Sequence, residues 1–162
     1  MELSKYLKKE AIFITDFHEN TDSFYSAYTS FLKEKGIIQD RESIKRLFIK
    51  RENVHSTGIK KGAAAPHIFS EEFTDFIFSM ALIKKGMDFK APDEKDVLLA
   101  FILMSNERDV PLHLKSLSLI ARIVSATDIV EAAKKTLTPD ELFNVYVERE
   151  KLIDVTDDGS KK

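Results

Sequence analysis

Val97-Leu98-Leu99-Ala100-Phe101-Ile102-Leu103-Met104 is the longest apolar run in the chain. It falls far short of the ~20 residues a membrane-spanning helix needs. A continuous apolar run of this length suits a strand buried on both faces, which in turn demands covering layers on either side. On its N-terminal side, Asp75 to Ile83 reads as a second, partly alternating β segment. Lys84-Lys85-Gly86 and Ala91-Pro92-Asp93 interrupt the pattern between the two. Further out, Ala11-Ile12-Phe13-Ile14 is a short β-prone run.

Helical periodicity occupies both ends. Asp22 is placed to cap a helix carrying Phe24, Tyr28, Phe31 and Leu32, and Gly36 sits where a left-handed C-terminal cap belongs. Asp40 opens a second helix with Ile44, Leu47 and Phe48 on one face, running towards Arg51. Beyond the apolar run, Pro111 suits the first turn of a helix through Leu114, Leu117, Ile120, Ala121 and Val124. Asp128 starts a short helix. Thr138-Pro139-Asp140-Glu141 is a capping box opening a last one, with Leu142, Val145 and Tyr146 inside. Helices at both ends of a strand-rich middle imply an α/β sandwich with mixed strand directions. Residues 1–152 read as one domain and 153–162 as a polar, disordered tail.

Composition narrows the chemistry. The 162 residues hold 43% hydrophobic and 32% charged side chains, ordinary for a globular protein. A formal net charge of −2 offers no basic excess for a nucleic acid. The cysteine count of zero excludes a disulfide scaffold, a cysteine nucleophile and thiolate-held metals within this chain. The N-terminal stretch has lysines but no apolar core of signal-peptide length, so export is not indicated and a cytoplasmic protein without membrane insertion is expected. There is no GxxxxGK[ST] loop and no carboxylate cluster suited to magnesium, so neither a cofactor nor a metal is expected.

Of the four histidines, His18 and His55 lie in polar stretches and read as structural or exposed. His67 has a different setting. It ends Ser56-Thr57-Gly58-Ile59-Lys60-Lys61-Gly62-Ala63-Ala64-Ala65-Pro66-His67, in which glycines and small residues let backbone approach a ligand and Pro66 restricts the direction of the imidazole. On the residues alone, a ligand site and a plain surface loop are about evenly matched. Arg51 can present a planar fork to phosphate oxygens, or simply complement the end of its helix. His113 follows His67 by 46 residues at the start of a helix, where a neutral imidazole N–H suits an anion. Phe69, two residues past His67, is read as core in preference to a partner-contact residue.

Arg51-Glu52, Ser56-Thr57-Gly58, Ala65-Pro66-His67 and His113-Leu114, in this order, resemble the type-2 enzyme IIA (EIIA) domain of the bacterial sugar phosphotransferase system (PTS), the fructose, mannitol and nitrogen-regulatory family. The resemblance runs from about Leu3 to Glu150. It implies an α/β/α sandwich, a mixed sheet flanked by helices. It implies His67 as the phosphorylated nucleophile, Arg51 and His113 as active-site partners, and Ser56, Thr57 and Gly58 as the phosphate-side loop. It also implies two protein partners, HPr as donor and a sugar-specific EIIB, fructose-like, whose cysteine is the acceptor. The loop departs from the family's usual GIGxGIAIPH: it reads GIKKGAAAPH, with smaller Ala63 and Ala65 and two added lysines. A nitrogen-type regulatory EIIA shares fold and histidine and is the second expectation. An interaction module with a vestigial site would not need His67, Arg51 and His113 together. A zinc hydrolase would want a closer ligand pair.

Overall fold

The structure, a computed structural model, describes residues 1–160, with side chains described through 154. The apolar run becomes β5, Val97–Ser105, and the sheet is built around it. On one side it pairs antiparallel with β4, Ile77–Met87, in a register that sets Ala81 against Ala100. The register slips between Leu82 and Met87, so Lys84-Lys85-Gly86 bulges within the strand and does not end it; Gly86 takes the positive φ of 74° there. β1, Phe13–Thr15, adds to β4 in parallel.

On its other side β5 meets two short parallel segments, β2, Ala63–Ala64, and β3, His67–Phe69. They follow one line along the sheet edge, interrupted at Pro66. Proline has no N–H to give a ladder, and an edge is where that omission costs least. The Pro66 carbonyl still accepts from Leu103 N–H at 3.0 Å.

Strand alternation feeds two cores. Phe78, Met80, Leu82, Leu99, Phe101 and Leu103 point to one face, Ile77, Ala81, Ile83, Ala100, Ile102 and Met104 to the other. The second face is covered by α1, Thr21–Glu34, and α2, Arg41–Val54, through Phe24, Tyr25, Tyr28, Ile44 and Phe48. The first face is covered by α3, Val110–Ala126, α4, Ile129–Lys134, and α5, Pro139–Ser160. The architecture is therefore the α/β/α sandwich with a mixed sheet.

Three local expectations need correction. Asn20, not Asp22, caps α1, its side chain accepting from Ser23 N–H at 2.9 Å. In α3 the inward face is His113, Ser116, Leu119, Ile120, Ile123 and Val124; Leu114 is 64% exposed and Ala121 is also outside. Finally, the polar segment assigned to a tail from residue 153 begins as helix: Ile153 is 3% exposed, on the face of Leu142 and Tyr146, and α5 continues to Ser160. Residues 161–162 of that segment lie outside the described residues.

Candidate functional site

The sandwich brings three of the candidate side chains to one place, the β3 edge. Ile68 points into the α1/α2 core, so alternation turns His67 and Phe69 to the α3 side. There the His113 ring, in the first turn of α3, lies 6.2 Å from the His67 ring centroid, edge to face. From the opposite layer, the last turn of α2 sends Arg51 round the edge, where its Nε donates to His67 Nε2 at 3.2 Å. A second Arg51 nitrogen donates to the His55 carbonyl at 2.6 Å, which fixes the guanidinium.

The other nitrogen of His67 settles its protonation. Nδ1 lies 3.0 Å from the Ala65 carbonyl, which can only accept, so Nδ1 carries the hydrogen. Nε2 is left with its lone pair, consistent with the Arg51 donor aimed at it. Partial burial lowers the His67 pKa, opposed by the bond to Ala65; Arg51 lowers it further and Glu52 raises it. At neutral pH the ring is thus a neutral imidazole with a defined nucleophilic nitrogen.

His113 is enclosed: 1% exposed, with Phe69 at 4.3 Å and Phe76 at 5.1 Å between ring centroids. Its Nε2 is 2.6 Å from Ser105 Oγ, while Nδ1 has no hydrogen-bond partner. Desolvation, with a smaller contribution from His67, drives its pKa down to about 4. Phe69 is neither plain core nor plain surface. It is half-buried, tilted against the His113 ring at 34° and lining an open groove of 390 Å³ with Leu47, Lys50, Arg51, Val54 and His67.

Ser56, Thr57 and Gly58 stand differently from expectation. Ser56 Oγ donates to the Phe89 carbonyl and accepts from Gly58 N–H at 2.9 Å. Thr57 gives both its N–H, at 3.0 Å, and its hydroxyl to Glu52. Thr57 is buried, and a Cβ on Gly58 would come within 2.8 Å of Ala91. The donors expected to meet phosphate are engaged within the fold, where they brace the strand carrying His67: the Thr57 carbonyl accepts from Ala65 N–H at 2.9 Å. His18 bonds Thr15 and Ser23, and the His55 ring is exposed against its own loop. Sequence reasoning missed three participants. The Ala65 carbonyl and Ser105 carry no motif signal; Glu52 stood in plain sight beside Arg51 but without an assigned part. Among the described residues no His, Asp and Glu cluster could hold a metal, and no helix is long and apolar enough to cross a membrane.

A mixed sheet sandwiched by these helices is the fold of EIIA domains. It aligns with the nitrogen regulatory protein IIA-Ntr of Neisseria meningitidis at a TM-score of 0.77, covering 88% of this chain and 97% of that one at 23% identity. It aligns with the mannitol IIA of Escherichia coli at 0.65, covering 85% and 96% at 15% identity. The family model described as "Phosphoenolpyruvate-dependent sugar phosphotransferase system, EIIA 2" matches residues 5–148, and the chain belongs to that family of phosphotransfer components. It is 22% identical over 93% of its length to the fructose-specific EIIABC component of Bacillus subtilis, of which it spans 24%. It is 30% identical, over 62% of its length and of the relative's, to the nitrogen regulatory protein of Escherichia coli.

Proposed function

We propose that the chain is a PTS phosphocarrier working in the cytoplasm, taking a phosphoryl group from phospho-HPr on His67 Nε2 and passing it to a cysteine of a separate, fructose-like EIIB. The observation that carries this reading is the pairing at one ring: Nδ1–H held by the Ala65 carbonyl and Nε2 bare beneath Arg51 Nε. In the first step the Nε2 lone pair forms the new N–P bond as the N–P bond of HPr breaks, its electron pair returning to the HPr imidazole. In the second, a partner thiolate attacks phosphorus and the pair of the breaking bond returns to Nε2. The Nδ1 proton stays in place throughout. These 162 residues hold no cysteine, so the thiolate lies outside them.

Such transfer depends chiefly on positioning and on charge at the equatorial oxygens. Arg51 stands where those oxygens would arrive and can transfer its N–H donors from Nε2 to them. His113 faces the same space as a neutral ring, contributing a dipole without a proton that titrates near neutrality. Ser56, Thr57 and Gly58 act here through the strand they hold. The groove beside His67 combines apolar Leu47, Val54 and Phe69 with Lys50 on its rim, a surface suited to brief protein contacts.

Incubation with enzyme I, HPr and phosphoenolpyruvate, followed by intact-mass measurement, tests the reading. One phosphate is expected, stable in base, labile in acid and absent from His67→Ala. Label retained by that variant overturns the site. His113→Ala should still accept phosphate but transfer it onward more slowly; unchanged onward transfer removes His113 from the step.

The similarity to nitrogen regulatory proteins supports a second reading, a regulatory EIIA that signals by phosphorylation-dependent protein binding. Chase of the labelled protein with a fructose-type EIIB separates the two. Rapid loss of label to the EIIB cysteine supports transport, and label that persists supports regulation.

A further inference from the structure

Two neighbouring residues end α2 on opposite errands: Arg51 reaches His67 Nε2, while Glu52 turns inward. The Glu52 carboxylate accepts from Tyr25 Oη at 2.7 Å, from Thr57 N–H at 3.0 Å and from the Thr57 hydroxyl. All three are neutral donors, and burial together with Glu52 itself holds the Tyr25 phenol well above its ordinary pKa, so it remains a donor. Thr57 is thereby fixed at two atoms. Its carbonyl in turn takes Ala65 N–H at 2.9 Å, and the Ala65 carbonyl takes His67 Nδ1–H at 3.0 Å. The line from carboxylate to imidazole is continuous in hydrogen bonds.

We infer that Glu52 is a positioning residue for His67: through Thr57 it fixes the Ala65 carbonyl that keeps the proton on Nδ1 and so leaves Nε2 as the attacking nitrogen. The inference rests on His67 being the acceptor, and deepens that reading by saying what selects the nitrogen. An imidazole in water prefers neither nitrogen strongly, so a carbonyl displaced by a few tenths of an ångström returns the ring to a mixture of tautomers. Arg51 favours the same tautomer, since its Nε–H donates to an Nε2 lone pair, and the Ala65 carbonyl supplies the acceptor that the Nδ1 proton then needs. The half-buried carboxylate also favours positive charge on the imidazole, opposing Arg51. A phosphorylated ring that keeps its Nδ1 proton would receive the same support. One helix end thus supplies both the cation that meets the phosphoryl group and the anion that steadies the opposite side of the ring.

The test uses the full chain with ¹⁵N-labelled histidine. In the unsubstituted protein at neutral pH, the His67 ring should give a protonated Nδ1 and an unprotonated Nε2 resonance. Glu52→Gln should shift both resonances towards the averaged values of mixed tautomers and slow single-turnover phosphate uptake from phospho-HPr at least tenfold. Thr57→Val should move both readouts in the same direction, and Thr57→Ser, which keeps the hydroxyl, should recover most of the loss. A folded Glu52→Gln with the original ring signature and a rate within twofold overturns the inference. If circular dichroism finds Glu52→Gln unfolded, Thr57→Val decides by the same two readouts. If the unsubstituted protein takes no phosphate on His67, the phosphocarrier reading fails, and the ring resonances still decide whether Glu52 selects the tautomer.

Discussion

His67 and His113 sit 6.2 Å apart at the same end of the sheet, yet they are different chemical groups. His67 lies on an edge strand, half-exposed, with each nitrogen assigned by a neighbour: a carbonyl on Nδ1 and a guanidinium on Nε2. His113 lies one layer in, between Phe69 and Phe76, with Ser105 on one nitrogen and nothing on the other. Both pKa values are lowered, but by unequal means. At His67 desolvation is joined by the adjacent cation and opposed by the Ala65 bond and Glu52; at His113 desolvation, joined by His67 and opposed by nothing, takes the value to about 4. Edge placement makes a nucleophile reachable, and enclosure makes a ring that stays neutral. Two identical side chains thus divide into a reachable ring with a bare nitrogen, the phosphate acceptor proposed above, and an enclosed polar wall beside it.

The most severe way to break this comparison is to remove the proposed acceptor and ask whether its neighbour replaces it. His67→Gln should take no phosphate at all from phospho-HPr, because enclosed His113 cannot meet a docked donor; intact mass decides, and label on His113 would erase the distinction. Next comes Arg51→Lys, which keeps the charge but loses the planar fork and the Nε donor. Removal of one well-placed donor at a charged transition state typically costs about 10²-fold or more in rate, and a loss of that order in uptake is expected. Uptake within threefold would mean that charge alone suffices.

A smaller effect sharpens the enclosed half of the pair. A histidine whose pKa falls on folding binds fewer protons folded than unfolded, so the protein loses stability as pH drops from the unfolded value near 6.5 towards about 4. Between pH 7 and pH 5 the His113 contribution amounts to roughly 2 kcal/mol. Urea unfolding across that window should record the decline, and His113→Gln should flatten it. A slope unchanged in the variant would place the titration at His67 or His18, whose pKa values are also lowered.

The same contrast explains what could be read in one dimension. β5 announced itself because a strand buried on both faces has no reason to alternate. Arg51, His67 and His113, which the fold gathers at one edge, were singled out chiefly because their order resembles a family pattern; the small-residue loop before Pro66 left His67 open between a ligand site and a plain loop. The face of α3 was displaced by one position for a physical reason. Its inward residues include His113 and Ser116, and hydrophobic periodicity sends polar residues outward unless a buried partner is known. Ser116 finds the Leu112 carbonyl at 2.7 Å and His113 finds Ser105, neither visible as spacing. The Ala65 carbonyl was out of reach altogether, since any residue would supply it. Ser56, Thr57 and Gly58 came to the phosphate side through the resemblance alone, and the sequence could not show that Phe89, Glu52 and Ser56 take the donors of that loop within the fold.

Phe69 packs on His113 and lines the groove beside His67, and its removal is the mildest test. Phe69→Ala takes away the ring whose centroid lies 4.3 Å from that of His113 and should open that imidazole to the groove. Truncation of a fully buried phenylalanine costs about 3–5 kcal/mol, and a half-buried one should cost less, about 1–2 kcal/mol. The diagnostic change is electrostatic: with water admitted, the His113 pKa should climb from about 4 towards the value near 6.5 of a free imidazole, as followed by NMR titration of its ring protons. Phe69→Leu, which keeps apolar volume, should leave it close to its original value. An unmoved His113 in Phe69→Ala would assign the enclosure to Phe76 and the sheet beneath. Phe69 would then belong to the groove alone, and the neutrality of His113 would be a property of the sandwich interior.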